Sequence, residues 1–174
     1  MKIRWILTFI FTLALGSAMH FFYDWLPVPL VGLFAPVNES VWEHLKLLFW
    51  PFLIGCLFLQ PAAEKRQAFW GAALAAGLAM PIFLTGMYYL LNGGFMVESL
   101  PLDLALYAIS MLLGFVLLAS WKDRAWAQKA LGVLILAAGL YAACLILFSI
   151  AAPDLPIFTP PQGEKTAKIL EIYR

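Results

Sequence analysis

Five apolar runs, each long enough to cross a bilayer, constrain this chain more than anything else in it. They cover about residues 3–25, 40–60, 68–91, 102–121 and 129–152. Charged or Pro/Gly-containing breaks separate the later runs: PAAEKRQ, NGGFMVESLP and KDRAWAQ. A hydrocarbon core of roughly 30 Å takes about 20 apolar residues at about 1.5 Å rise each. Hydrocarbon offers no water to satisfy backbone amides, so runs of this length predict α-helices and not strands. The expected fold is all-α, a polytopic membrane helical bundle of about five transmembrane helices over residues 1–152, with a Pro-rich extracytoplasmic tail over 153–174.

Composition closes off the alternatives. The 174 residues are 64% hydrophobic and only 12% charged, with a mean hydropathy of +0.89. Soluble domains carry about 25% charged residues, so too few polar side chains are present to cover a water-exposed globule. A soluble enzyme, a disordered chain and a nucleic-acid binder are excluded, and the bilayer is the implied partner. The 11 Lys+Arg and 10 Asp+Glu nearly cancel, which leaves no broad field for an anionic partner.

The charges are sorted along the chain. Lys2, Arg4, Lys65, Arg66, Lys122, Arg124 and Lys129 all fall on one side if five spans alternate. The Lys/Arg bias of cytoplasmic loops makes that side the inside, with the N-terminus in the cytoplasm and the tail outside the cytoplasmic membrane. Trp5, Trp70, Trp121 and Trp126 then mark the inner interface, and Trp25 and Trp42 the outer. The start MKIRWILTFIFTLALGSA also has the order of a cleavable secretory signal. Its apolar run continues through HFFYDW past the cut, which favours a spanning helix. Cys56 and Cys144 fall at different depths, too far apart to form a disulfide.

Packing signals lie inside the spans. Gly71, Ala75 and Ala79 share a helix face at i, i+4 spacing, and Gly139 with Ala143 repeats the theme. Small residues let helices approach closely in lipid, either as contacts within the monomer, the preferred reading, or as a homodimer seam. Pro51 and Pro81 each remove a helix hydrogen bond and bend a span. The segment 26–38, LPVPLVGLFAPV and its flanks, is too apolar for a solvated loop and too rich in Pro and Gly for a regular helix. It is expected to lie in the interface or dip into the bundle, where protein can satisfy its backbone.

The ionisable groups at the outer end carry the candidate chemistry. Eight of the ten acidic residues fall outside: Asp24, Glu39, Glu43, Glu98, Asp103, Asp154, Glu164 and Glu171. His20 and Asp24 are i, i+4 near the end of the first span, and NESVWEHLK brings Asn38, Glu39, Ser40, Glu43, His44 and Lys46 to the start of the second. Asp103 opens the fourth at the same level. Charge at the edge of hydrocarbon is costly unless paired, solvated or used. One expectation is a divalent-metal site with His20, Asp24 and His44 as ligands and Glu43 as general base, suited to a metal-assisted or acid-base hydrolysis of a lipid or lipid-linked substrate. A proton relay in a small transporter would use the same groups, but only Thr12, Ser17, Thr85 and Ser110 could continue it inward.

A plainer account covers part of the cluster. Ser40 followed by Glu43 is a capping box, Asn38 is an alternative N-cap, and Lys46 can pair with Glu39 or Glu43. That account omits His20, Asp24 and His44. A non-catalytic structural or partner-binding membrane protein would need no more than the plain reading. Asn38-Glu39-Ser40 also matches a glycosylation sequon, set close to the membrane.

HFFYDW, NESVWEHLKL and the late PDLPIF resemble an uncharacterised family of small prokaryotic integral-membrane proteins, a domain of unknown function. The resemblance implies a polytopic membrane protein with an uncleaved first helix, and brings no activity, cofactor or catalytic residue. The chain departs from it at PIFTPP and the longer charged end.

Overall fold

The structure is a computed structural model and describes residues 2–97 and 99–160. It is helical throughout, with no strand among the described residues. The helices are α1 (Lys2–Met19), α2 (Phe22–Trp25), α3 (Pro29–Phe34), α4 (Val41–Leu59), α5 (Arg66–Tyr89), α6 (Leu100–Trp121), α7 (Ala125–Lys129) and α8 (Leu131–Ile150). Five of these are long and apolar enough to cross a membrane: α1, α4, α5, α6 and α8, the second and third of them extended by a 3-10 turn to Ala62 and a π turn to Gly94. The bundle is all-α, as its sequence pattern requires.

α5 lies at the centre and packs on α4, α6, α7 and α8, while α1 packs on α4 and α6. The core between them is aromatic and sulfur-rich, with Phe49, Phe52, Phe69, Met80 and Met111 almost wholly buried. Phe52 and Phe9 both meet the Phe115 ring edge-on, with centroids 5.4 and 5.5 Å away. Both membrane prolines stay inside their helices, Pro51 in α4 and Pro81 in α5, and both are buried.

Two of the apolar runs depart from the simplest reading, while segment 26–38 dips inward, one of the two placements expected for it. The first run is not one helix: the chain turns at His20 and Phe21, where Phe21 N bonds back only three residues to Ala18 O at 3.1 Å. The last run starts later, because α7 occupies Ala125–Lys129 and the chain turns at Ala130 before α8. Within segment 26–38, Pro29 opens a short helix at its first turn, where a missing N–H does no harm. Ala35, Pro36 and Val37 then dip into the protein and are buried.

The small-residue faces also sort differently. Gly71 is indispensable to the α5–α7 contact, since a Cβ there would stand 1.9 Å from the Ala127 carbonyl oxygen. Yet Ala75 and Ala79 are only partly buried, and the tight row runs through Ala72, Ala73, Ala76 and Gly77. On α8 no internal contact of that kind is made among the described residues: Gly139 and Ala143 are exposed, and no other part of the described structure comes within 4 Å of a Cβ built at Gly139. The helix turns Ala138, Leu145 and Ser149 inward instead. Cys56 and Cys144 are both free.

The tail folds back as far as it is described. Phe158, in the turn Pro156–Phe158, packs on Trp42 and Phe148 with centroids 4.9 and 5.3 Å apart, and Asp154 is exposed. Residues 161–174, with Glu164 and Glu171, and Glu98 lie outside the described residues.

Candidate metal centre

Two ionisable clusters meet at the start of α4. Ser40 is the N-cap: its hydroxyl accepts from Glu43 N at 3.4 Å. The return half of the capping box is not made, because Asn38 Oδ1 accepts from Ser40 N at 2.8 Å. Glu43 is thereby released to turn inward. Its Oε2 accepts from Val37 N at 3.0 Å and from Lys46 Nζ at 2.7 Å, and its Oε1 accepts from Ser149 Oγ at 2.7 Å. Lys46 Nζ spends its other two donors on Gly32 O at 2.8 Å and Ala35 O at 3.2 Å. Both side chains are buried, 0% and 2% exposed.

This pair corrects the general-base role expected for Glu43. Its carboxylate oxygens are taken up by an ammonium, an amide and a hydroxyl, and it does not line the cleft described below. What the pair does is structural: it satisfies the backbone of the segment that dips inward between α3 and α4, which is the condition for irregular chain at that depth.

The second cluster faces outward. His20 Nε2 lies 3.5 Å from Glu39 Oε1, and His44 Nε2 lies 3.2 Å from Glu39 Oε2. The imidazoles stand side by side, centroids 5.2 Å apart and tilted by 36°. One ligand atom from each of the three residues falls within 4.8 Å of the others. His44 Nδ1 sits 2.9 Å from Ser40 O. A carbonyl only accepts, so Nδ1 carries a proton; His44 then either donates from Nε2 to the carboxylate as an imidazolium or, when neutral, turns an Nε2 lone pair toward it. A proton or a metal cation between Nε2 and the carboxylate satisfies both atoms.

Glu39 is partly exposed, its side chain at 41%. The hydrogen bond from His44 is the main reason that its carboxyl lies below the usual pKa; partial burial works against this, and the charges of His44 and His20 add to it.

Asp24, expected as a ligand, is not in the group. The turn at His20 and Phe21 ends the helical register that would have aligned the two, and Asp24 is exposed on α2. Glu39 takes the place. The sequence signal for this was its position just after Asn38, in the turn that caps α4.

Both histidines and Glu39 line one cleft of about 330 Å³. One wall is built from Ser17, His20 and Phe21 at the end of α1 with Glu39, Val41 and His44 at the start of α4; the other carries Leu84 and Tyr88 of α5 and Leu100, Asp103, Leu104 and Tyr107 of α6. Tyr107 Oη donates to Leu13 O at 3.2 Å and ties the walls together. Gly16 is required there, since a Cβ would stand 2.1 Å from that hydroxyl and 2.6 Å from Leu47 O. Leu100 and Leu104 are 71% and 59% exposed, so one wall of the cleft is apolar and open.

A family model described as a family of unknown function, DUF6512, matches residues 1–165. No curated protein and no solved structure matches the chain.

Proposed function

The chain belongs to the DUF6512 family, of unknown function, and we propose, from the cleft itself, that it is a membrane-embedded metallohydrolase acting on a lipid-type substrate. The observation that carries this is the convergence at Glu39: two imidazole Nε2 atoms meet one carboxylate while His44 Nδ1 is held by a carbonyl. Two histidines and a carboxylate are one of the donor sets of catalytic zinc sites, which leave one position open. The Ser40 carbonyl behind His44 matches the outer-shell partner that orients such ligands. Zinc there would supply an activated water and polarise the bond to be cleaved. His20, Glu39 and His44 would hold it, and the leucines of α5 and α6 would seat the apolar part of the substrate.

The open wall at Leu100 and Leu104 favours a substrate that arrives through the bilayer. The basic ends of the helices support an inner-membrane protein with a cytoplasmic N-terminus, which puts the cleft on the outer face. The relay of a proton-coupled transporter is less well supported: the Thr12 and Ser110 hydroxyls bond back to carbonyls of their own helices, Phe9 O and Leu106 O, at 2.8 and 2.7 Å.

Elemental analysis of the detergent-purified protein tests the reading. One zinc per chain is expected, with stoichiometric binding lost in His44→Ala and His20→Ala. A wild-type protein that takes up no divalent transition metal overturns it.

A further inference from the structure

Glu39 and Glu43 stand at i, i+4, a spacing that puts two side chains on one face of a continuous helix. They leave the chain in opposite directions instead, Glu39 outward to the two histidines and Glu43 inward to Lys46. The split falls where α4 begins, since Glu39 lies ahead of the N-cap Ser40. The direction of Glu39 is therefore set by a turn and not by the helix.

That turn is tied on both flanks of Glu39. Ahead of it, Val37 N donates to Glu43 Oε2 at 3.0 Å. Behind it, Glu43 N donates to the Ser40 hydroxyl at 3.4 Å. The bond that closes over Glu39 itself runs from Ser40 N to Asn38 Oδ1 at 2.8 Å, the side-chain turn that asparagine makes to the backbone two residues on. Ser40 is 1% exposed, so its amide depends on an acceptor from the protein. A capping box would supply the Glu43 carboxylate for this. Here that carboxylate is held by Val37 N, Lys46 and Ser149, and Asn38 serves in its place.

We propose that Asn38 is the positioning residue of the outer cluster: by holding Ser40 N, its Oδ1 fixes the turn that aims Glu39 at His20 and His44. Asn38 touches neither metal nor substrate in this scheme and acts through Glu39. That the positioned group is a metal centre rests on the proposed function; that the turn aims Glu39 does not. An aspartate at 38 keeps the acceptor, a serine offers a weaker one and an alanine offers none.

The chain has 2 histidines, both beside Glu39, so labelling histidine nitrogen gives a spectrum of this cluster alone. Magnetic resonance of the detergent-purified full chain, stripped of metal by chelation and held at one pH, reads the two Nε2 atoms, and Glu39→Gln sets the signature of a lost carboxylate. Asn38→Ala should move both Nε2 resonances in the direction that Glu39→Gln does, and Asn38→Ser should move them less. Asn38→Asp, which keeps the acceptor and adds charge, should not move them in that direction. Zinc affinity of the same variants should fall in the same order, by at least about tenfold in Asn38→Ala, as on loss of an outer-shell partner. Where Asn38→Ala fails to fold, the contrast of Asn38→Ser with Asn38→Asp decides. A turn that only stabilises the fold would lower resistance to denaturant and leave the two resonances in place. Resonances unmoved in Asn38→Ala and Asn38→Ser, or moved as far toward the Glu39→Gln signature by Asn38→Asp, overturn the inference even in protein that binds zinc. The graded shifts in protein that binds no zinc uphold it and defeat the metal reading alone.

Discussion

Two ionisable clusters meet at the start of α4 and have opposite characters. Glu43, Lys46 and Ser149 are buried, and every donor of the ammonium has a partner. His20, Glu39 and His44 are partly exposed at the edge of a cleft, with two imidazole nitrogens turned on one carboxylate. A saturated buried pair holds a fold and has no capacity left for a ligand. A converging set of donors at a cleft has that capacity. The contrast lets each cluster be broken separately.

The largest effect is expected at the buried pair. Lys46→Met strands the Glu43 carboxylate and should destabilise the protein by about 3–5 kcal/mol, as removal of one partner of a buried ion pair does. Unfolding by denaturant in mixed micelles measures it. The double variant Glu43→Leu with Lys46→Met should lose less than the sum of the two single changes, because neither charge is then left alone.

At the outer cluster the sign of the comparison reverses. His44→Ala should change stability by no more than about 1 kcal/mol while weakening zinc by about a hundredfold or more, equivalent to about 2.7 kcal/mol. Glu39→Gln should do the same to a lesser degree, as it keeps the shape and loses the charge. If these variants unfold the protein instead, the outer cluster is a second structural pair and the contrast collapses.

The floor of the cleft lies between the two in size. Gly16→Ala forces a methyl group against Tyr107 Oη and Leu47 O, and overpacking of this kind costs about 1–3 kcal/mol. The smallest effect belongs to Asp24→Asn, a surface change expected to stay within about 0.5 kcal/mol and to leave zinc binding intact. A loss of zinc in that variant would return Asp24 to the ligand set.

The helices were legible in the sequence because lipid permits so few structures. Once five apolar runs of spanning length were present, the all-α bundle followed from backbone hydrogen bonding alone. The two histidines were legible as residues that capping could not explain. The third member of the group was not, because it depended on a turn. An unbroken helix through residue 25 would have put Asp24 beside His20, and one backbone break at His20 and Phe21 removed it. Glu43 was misread for a related reason. Its spacing from Ser40 fits a capping box, but Asn38 claims the Ser40 amide first, and a lysine one turn on draws the carboxylate inward. Gly139 and Ala143 carry a small-residue spacing that the structure leaves facing outward, since spacing names a face without saying what meets it.

X-ray absorption at the zinc edge of the purified protein tests the central claim most directly. The account predicts one zinc with two imidazole nitrogens and a carboxylate oxygen at about 2.0–2.2 Å, with one imidazole lost from the spectrum in His44→Ala. Zinc bound through sulfur, or a spectrum unchanged by that substitution, would contradict it.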